Sequence, residues 1–254
     1  MATERLINNS IPPDISPLHS LVSGSALLVY NLQHVIRWRR MVTGINLQFR
    51  PWYLLFFIAG MAMAITSLFW LSGEILITSV ILGAFTFTYS WPLLPFKNKK
   101  RIREFGSLKI LVLAGVWTIV TSILPILYSH KHTLDYPFEI LLRFVFIFTL
   151  CVVFDIRDMQ TDLENNIATL PNKVGIDNSY RLINITLVLF AVLSIVQYFR
   201  YPITGRLAGA LLTAVITKVV VNYLRKHPSG KAYLGLADGV MMLYALLVLL
   251  TPAP

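Results

Sequence analysis

Five of the chain's twelve acidic residues fall within one short stretch: Asp155, Asp158, Asp162, Glu164 and Asp177. Its centre reads Phe154-Asp155-Ile156-Arg157-Asp158-Met159-Gln160-Thr161-Asp162 and continues an apolar run. If that run is a helix and persists, Asp155, Asp158 and Asp162 stand at i, i+3 and i+7, on one face. Like charges so spaced repel by roughly a few tenths of a kcal/mol per pair, so a compensating cation is expected. Mg²⁺ suits the position, because it binds through one or two carboxylates together with substrate phosphates. The three aspartates would then form a diphosphate clamp. The same residues also fit a solvated helix end, with Arg157 and nearby bases neutralising the acids.

Composition determines what kind of elements must carry these groups. Of 254 residues, 34 are charged and 56% are hydrophobic. Soluble domains carry about 25% charged residues, and a soluble globule cannot hide so much apolar surface. The same apolar content excludes disorder. A membrane-crossing helix needs about 20 mostly apolar residues. Eight runs qualify, roughly 15–33, 51–72, 75–95, 107–128, 137–155, 182–199, 207–223 and 236–251. Pro17, His19, Ser20 and Ser23 weaken the start of the first. With no water to satisfy backbone groups, such runs must be helices. The expected fold is an all-α, polytopic bundle of about eight transmembrane helices, one membrane domain over residues 1–254. Residues 1–14 form a short non-membrane segment with no signal-peptide pattern.

Basic residues then orient the bundle. Fifteen of the 22 Lys and Arg fall in the loops after runs one, three, five and seven, four lie on the opposite side, and Lys109, Arg143 and Lys218 fall within runs. By the positive-inside rule the fifteen, and the aspartate cluster with them, are cytoplasmic. The net charge of +10 is thereby read as topology, and no nucleic-acid partner is expected. Cys151 is the only cysteine, which leaves no intrachain disulfide and makes it a small packing residue. Glu139 and Arg143, four apart in run five, are expected to pair structurally. Lys218 can snorkel from run seven, His34 is expected to be interfacial, and Asp238 fits either a cavity or a helix N-terminus, where a carboxylate complements the dipole.

Residues 155–175, DIRDMQTDLENNIATLPNKVG, resemble the second aspartate-rich motif of the UbiA superfamily of intramembrane prenyltransferases. That motif commonly runs D-x-x-x-D, then Thr-Leu-Pro, then Gly. Here the positions are Asp158, Asp162, Thr169-Leu170-Pro171 and Gly175. A looser likeness follows run three, where Tyr89-Ser90-Trp91-Pro92 leads to Lys97-Asn98-Lys99-Lys100-Arg101. The resemblance implies an all-helical fold, usually of nine membrane helices around a cavity. It implies Mg²⁺ and an isoprenyl diphosphate held near the cytoplasmic face by Asp158 and Asp162, with Asp155 assisting. Lys97, Lys99 and Lys100 would attract the diphosphate. The isoprenyl group would pass to an aromatic or lipid acceptor, with metal ions neutralising the leaving group.

The first motif of that family does not carry over. Residues 29–40 read VYNLQHVIRWRR. Asn31 matches the motif's Asn, but Val35 and Arg39 stand where its aspartates belong. The chain resembles a family member lacking the opening helix, either lost or encoded upstream of Met1. Arg37, Arg39 and Arg40 could grip the diphosphate directly, since guanidinium makes bidentate contacts with phosphate. They equally fit topology anchors on a scaffold whose catalysis is lost. Three classes are therefore open: a prenyltransferase, a catalytically degenerate membrane protein that binds lipid or partner proteins, and a small transporter. The last would want charge pairs or broken helices at mid-membrane, of which the runs show little. The sequence alone leaves the oligomeric state and the acceptor open.

Overall fold

A computed structural model describes Thr3, Glu4, Ile7, residues 15–41, 51–90, 106–164, Ile167 and residues 169–250. Within these, all regular structure is helical. The long helices are α1 (Pro17–Met41), α2 (Pro51–Leu68), α3 (Gly73–Ser90), α4 (Ser107–Tyr128), α5 (Pro137–Glu164), α7 (Ile176–Arg200), α8 (Thr204–Lys226) and α9 (Gly230–Leu250). A short helix, α6 (Leu170–Val174), precedes α7. Among the described residues, four helices are long and apolar enough to cross a membrane: α4, α5, α7 and α8. Shorter apolar stretches are Trp52–Leu68, Gly73–Thr86 and Gly235–Leu250. Such helices are those of a membrane protein.

The chain divides into two compact units, residues 12–78 and residues 1–11 with 79–254. In the first, α1 packs along α2, the two backbones meeting at Gly24 and Gly60.

In the second unit α5 is central, with 61% of its apolar window buried against 33–39% for α4, α7 and α8. It packs on α4, α7 and α9, while α8 bridges α7 and α9. One half of the core gathers Ile110 and Ala114 of α4, Val152 and Ile156 of α5, Ile183 of α7 and Leu224 of α8. The other half centres on Phe146, Phe190 and Tyr244, whose ring centroids lie 5.1–5.7 Å apart in tilted and edge-on pairs. Such geometries favour the aromatic quadrupoles. Outward faces stay apolar: Ile185, Val188 and Phe199 of α7 and Val215 and Val219 of α8 are exposed. That pattern suits lipid as solvent.

Polar side chains inside these helices satisfy themselves locally. Thr118, Thr213 and Thr217 each donate to the carbonyl four residues back, at 2.6–2.7 Å. Thr149 Oγ1 lies 2.8 Å from Val145 O of its own helix and 2.8 Å from Thr186 Oγ1 on α7. In α4 the turn Ile119–Ile123 widens to a π-helix ahead of Pro125. Proline has no N–H for the carbonyl four residues back, here Thr121 O, and its ring crowds it. The hydroxyl of Thr3 donates to that carbonyl.

At the same end of α5, Arg143 Nη2 lies 2.9 Å from Glu139 Oε1, both buried. The guanidinium stacks 4.8 Å over the Tyr244 ring and donates to Thr3 Oγ1 at 3.4 Å. The Glu139–Arg143 pair read from the sequence is thus present.

Candidate functional site

The aspartate cluster sits where α5 outruns its apolar segment. Nothing in Asp155-Ile156-Arg157-Asp158 breaks a helix, so α5 continues to Glu164, well past the apolar limit at residue 155. Asp155 and Asp162, two turns apart, face the same way, and both are buried.

The residue that joins them is Lys109, near the start of α4. Its Nζ lies 2.9 Å from Asp155 Oδ1 and 3.2 Å from Asp162 Oδ2. One ammonium therefore spans two carboxylates on a neighbouring helix. Asp158 turns elsewhere. Arg157 Nε and Nη2 donate to its two oxygens at 2.6 and 2.7 Å, a bidentate fork. Arg157 also lies 5.0 Å over the Phe154 ring. Among the described residues, three carboxylates are thus met by two side-chain cations. The second oxygen of Asp155 is buried and, among the described residues, has no hydrogen-bond partner.

The segment after α5 folds back on it. Ile167 N donates to Asp162 O at 2.8 Å, and Asn172 Nδ2 lies 3.3 Å from the Met159 and Ile167 carbonyls. Thr169 is fully buried and begins α6, with Pro171 in the first turn, where a missing N–H costs nothing. Gly175 links α6 to α7 at φ 85°, ψ 160°, a conformation essentially restricted to glycine. The Thr-Leu-Pro…Gly spacing quoted above thus corresponds to a tight two-helix corner. Beyond it, Arg225 of α8 lies 2.9 Å from Asp177 Oδ1 and 4.9 Å over the Tyr180 ring, tying α8 to the start of α7.

Other sequence-derived candidates are placed as follows. Lys97, Lys99 and Lys100 lie outside the described residues. Arg37 and Arg39 lie on α1, with their side chains outside the described part. Asn31 is buried on α1, and its Nδ2 donates to Leu27 O of its own helix at 2.8 Å.

A hard divalent cation suits carboxylate donors, but the donors here are already engaged. Among the described residues, no three His, Cys, Asp or Glu side chains converge on a point that could hold a metal. A metal ion at Asp155 and Asp162 has to compete with Lys109.

Lys109 is the residue that sequence reasoning passes over. It counts there only as a cation within a span. The available signal was physical: a buried intramembrane cation calls for a partner, and the chain's densest acidic group lies in the next helix. Comparison with protein-family models, curated proteins and solved structures finds no match.

Proposed function

We propose that this chain is a UbiA-like membrane protein of about eight spans that binds an isoprenyl diphosphate at the Asp155–Asp162 end and transfers the isoprenyl group to a lipophilic acceptor. The observation that carries the reading is the junction of two parts. Asp155, Asp158 and Asp162 extend from a buried apolar helix, and the Thr169–Gly175 corner folds back against the same turns. A diphosphate with an apolar tail needs a charged, semi-buried grip beside apolar surface, and the buried Asp155 and Asp162 at the end of the apolar part of α5 support that reading. On this reading Asp158 and Asp162, with Asp155, would hold Mg²⁺ after exchanging their present partners, Arg157 and Lys109, and the ion would neutralise charge on the leaving diphosphate. Lys109 and Arg157 add fixed positive charge beside it, and Arg37, Arg39, Lys97, Lys99 and Lys100 attract the anion on a cytoplasmic face.

The test is binding of a long isoprenyl diphosphate to the full chain in lipid nanodiscs, with and without Mg²⁺. Asp158→Asn/Asp162→Asn runs beside it. The expected result is Mg²⁺-dependent binding, weakened at least tenfold in the double variant. Absence of binding by well-folded wild type overturns the reading.

A second reading is a scaffold that binds lipid or partner proteins without catalysis. It is favoured by Val35 and Arg39 standing where the family's first pair of carboxylates belongs, and by the engagement of Asp155 and Asp162 with Lys109. Binding of the diphosphate without turnover across a panel of acceptors would support it.

A further inference from the structure

The bridge from Lys109 to Asp155 and Asp162 has the connectivity of a metal bridge, one positive centre between two carboxylates. The carboxylates lie seven positions apart on α5, so the centre that joins them must come from outside that helix. Lys109 delivers it from α4 on a flexible four-carbon stem. Asp155 still has a second oxygen, buried and without a hydrogen-bond partner among the described residues. Without the ammonium, the pair would be two like charges in a poorly solvated place with spare lone pairs. Such a set takes up either a proton or a cation, and a divalent ion satisfies both carboxylates at once.

We propose that Lys109 is a resident counter-cation standing in the place of a divalent ion, and that removing its ammonium converts Asp155 and Asp162 into a divalent-cation site. In the resting protein, the two carboxylates are then held together without metal. Mg²⁺ and Mn²⁺ prefer six oxygen ligands, several of them water. Truncating Lys109 to Ala leaves both the room for those waters and the uncompensated charge. The inference concerns the resting protein without diphosphate, whereas the Mg²⁺ of the proposed function would enter only together with the diphosphate, in exchange for the Lys109 ammonium; the test therefore contains no diphosphate, and the two outcomes are read separately.

The experiment is Mn²⁺ titration of the full chain in zwitterionic nanodiscs, followed by the electron paramagnetic resonance signal of free Mn²⁺. Melting curves with and without Mn²⁺ accompany it. Lys109→Ala is expected to bind Mn²⁺ at least tenfold more tightly than wild type and to melt higher in its presence. Lys109→Arg, which keeps the charge, is expected to behave as wild type. Adding Asp155→Asn/Asp162→Asn to Lys109→Ala is expected to abolish the gain. The proposal is overturned if folded Lys109→Ala binds no more tightly than wild type. Tight wild-type binding that disappears in Asp155→Asn/Asp162→Asn also overturns it. Where Lys109→Ala does not fold, Lys109→Gln carries the same titration, and failure of both variants to fold even with Mn²⁺ counts against the proposal.

Discussion

Gly24 and Gly60 meet backbone to backbone. A methyl built on Gly24 would come 2.7 Å from the Gly60 carbonyl oxygen, and one on Gly60 would come 2.8 Å from the Gly24 carbonyl oxygen. Ala64 N lies as close to the first site, so no flexible side chain can move aside. Close helix approach through small residues is a common device where lipid provides no hydrophobic drive between helices. Gly24→Ala and Gly60→Ala are each expected to force α1 from α2 and destabilise by about 1–3 kcal/mol. Gly83→Ala, which meets nothing within 4 Å, is the matched control. Melting temperatures in detergent decide the point; a Gly24→Ala protein melting like Gly83→Ala discards the close-approach account.

The Glu139–Arg143 pair is buried and supported by Tyr244 and Thr3. Breaking one side leaves a buried charge alone, which costs about 3–5 kcal/mol. Glu139→Gln and Arg143→Met are each expected to lower the unfolding midpoint sharply. The double variant is expected to recover a large part of the loss, because no charge is then unpaired. Double-variant stability equal to the sum of the single losses would show that the two residues act independently.

Thr149→Val tests the polar contact between α5 and α7. The substitution removes the Thr149 bond to Val145 O, a carbonyl already within the helical ladder, and the 2.8 Å contact with Thr186, whose hydroxyl keeps Ile183 O as acceptor. A cost of about 0.6 kcal/mol is expected, the average for interhelical bonds in a membrane bundle. A penalty rivalling that of Arg143→Met would mean that the pair also holds something else in place.

Gly175→Ala places a side chain at φ 85°. Space is not the issue, because nothing lies within 4 Å of the added atom. The backbone conformation is, and its cost is about 1–3 kcal/mol. The corner is expected to open, detaching Ile167 and Asn172 from α5. Faster amide hydrogen exchange at Ile167 is the readout. Exchange unchanged from wild type would show that alanine tolerates the corner.

Arg39→Ala is expected to weaken isoprenyl-diphosphate binding more than Arg50→Ala in the nanodisc assay, if the arginines grip phosphate. Equal losses would leave them as topology anchors.

Much of the helical layout was legible in the sequence because apolar runs in lipid admit few alternatives. Run 107–128 and α4 coincide, and run 137–155 begins with α5. The ends differ for a physical reason: hydropathy marks where apolar residues stop, and helices stop elsewhere. Asp155 to Glu164 are polar yet helix-compatible, so α5 continues, and α7 starts at Ile176, six residues before run 182–199. The aspartate face was legible from spacing alone. The partners were legible only in part: Arg157 adjoins Asp158 in sequence, whereas Lys109 lies 53 residues from Asp162. No local pattern encodes a contact between helices, and a lysine in an apolar run looks like an exception until its neighbours are known.

The placement of Glu139 and Arg143 on one helix, four residues apart, also bears on how the chain is made. A lone arginine or aspartate entering a bilayer on a helix carries a penalty of about 2.5–3.5 kcal/mol in translocon-based measurements. Here donor and acceptor leave the ribosome within one turn of each other. Once that turn closes, α5 is electrically neutral at this point before the helices that follow it have arrived. The segment can partition as an apolar rod, and its later neighbours, Tyr244 among them, need only recognise a finished pair.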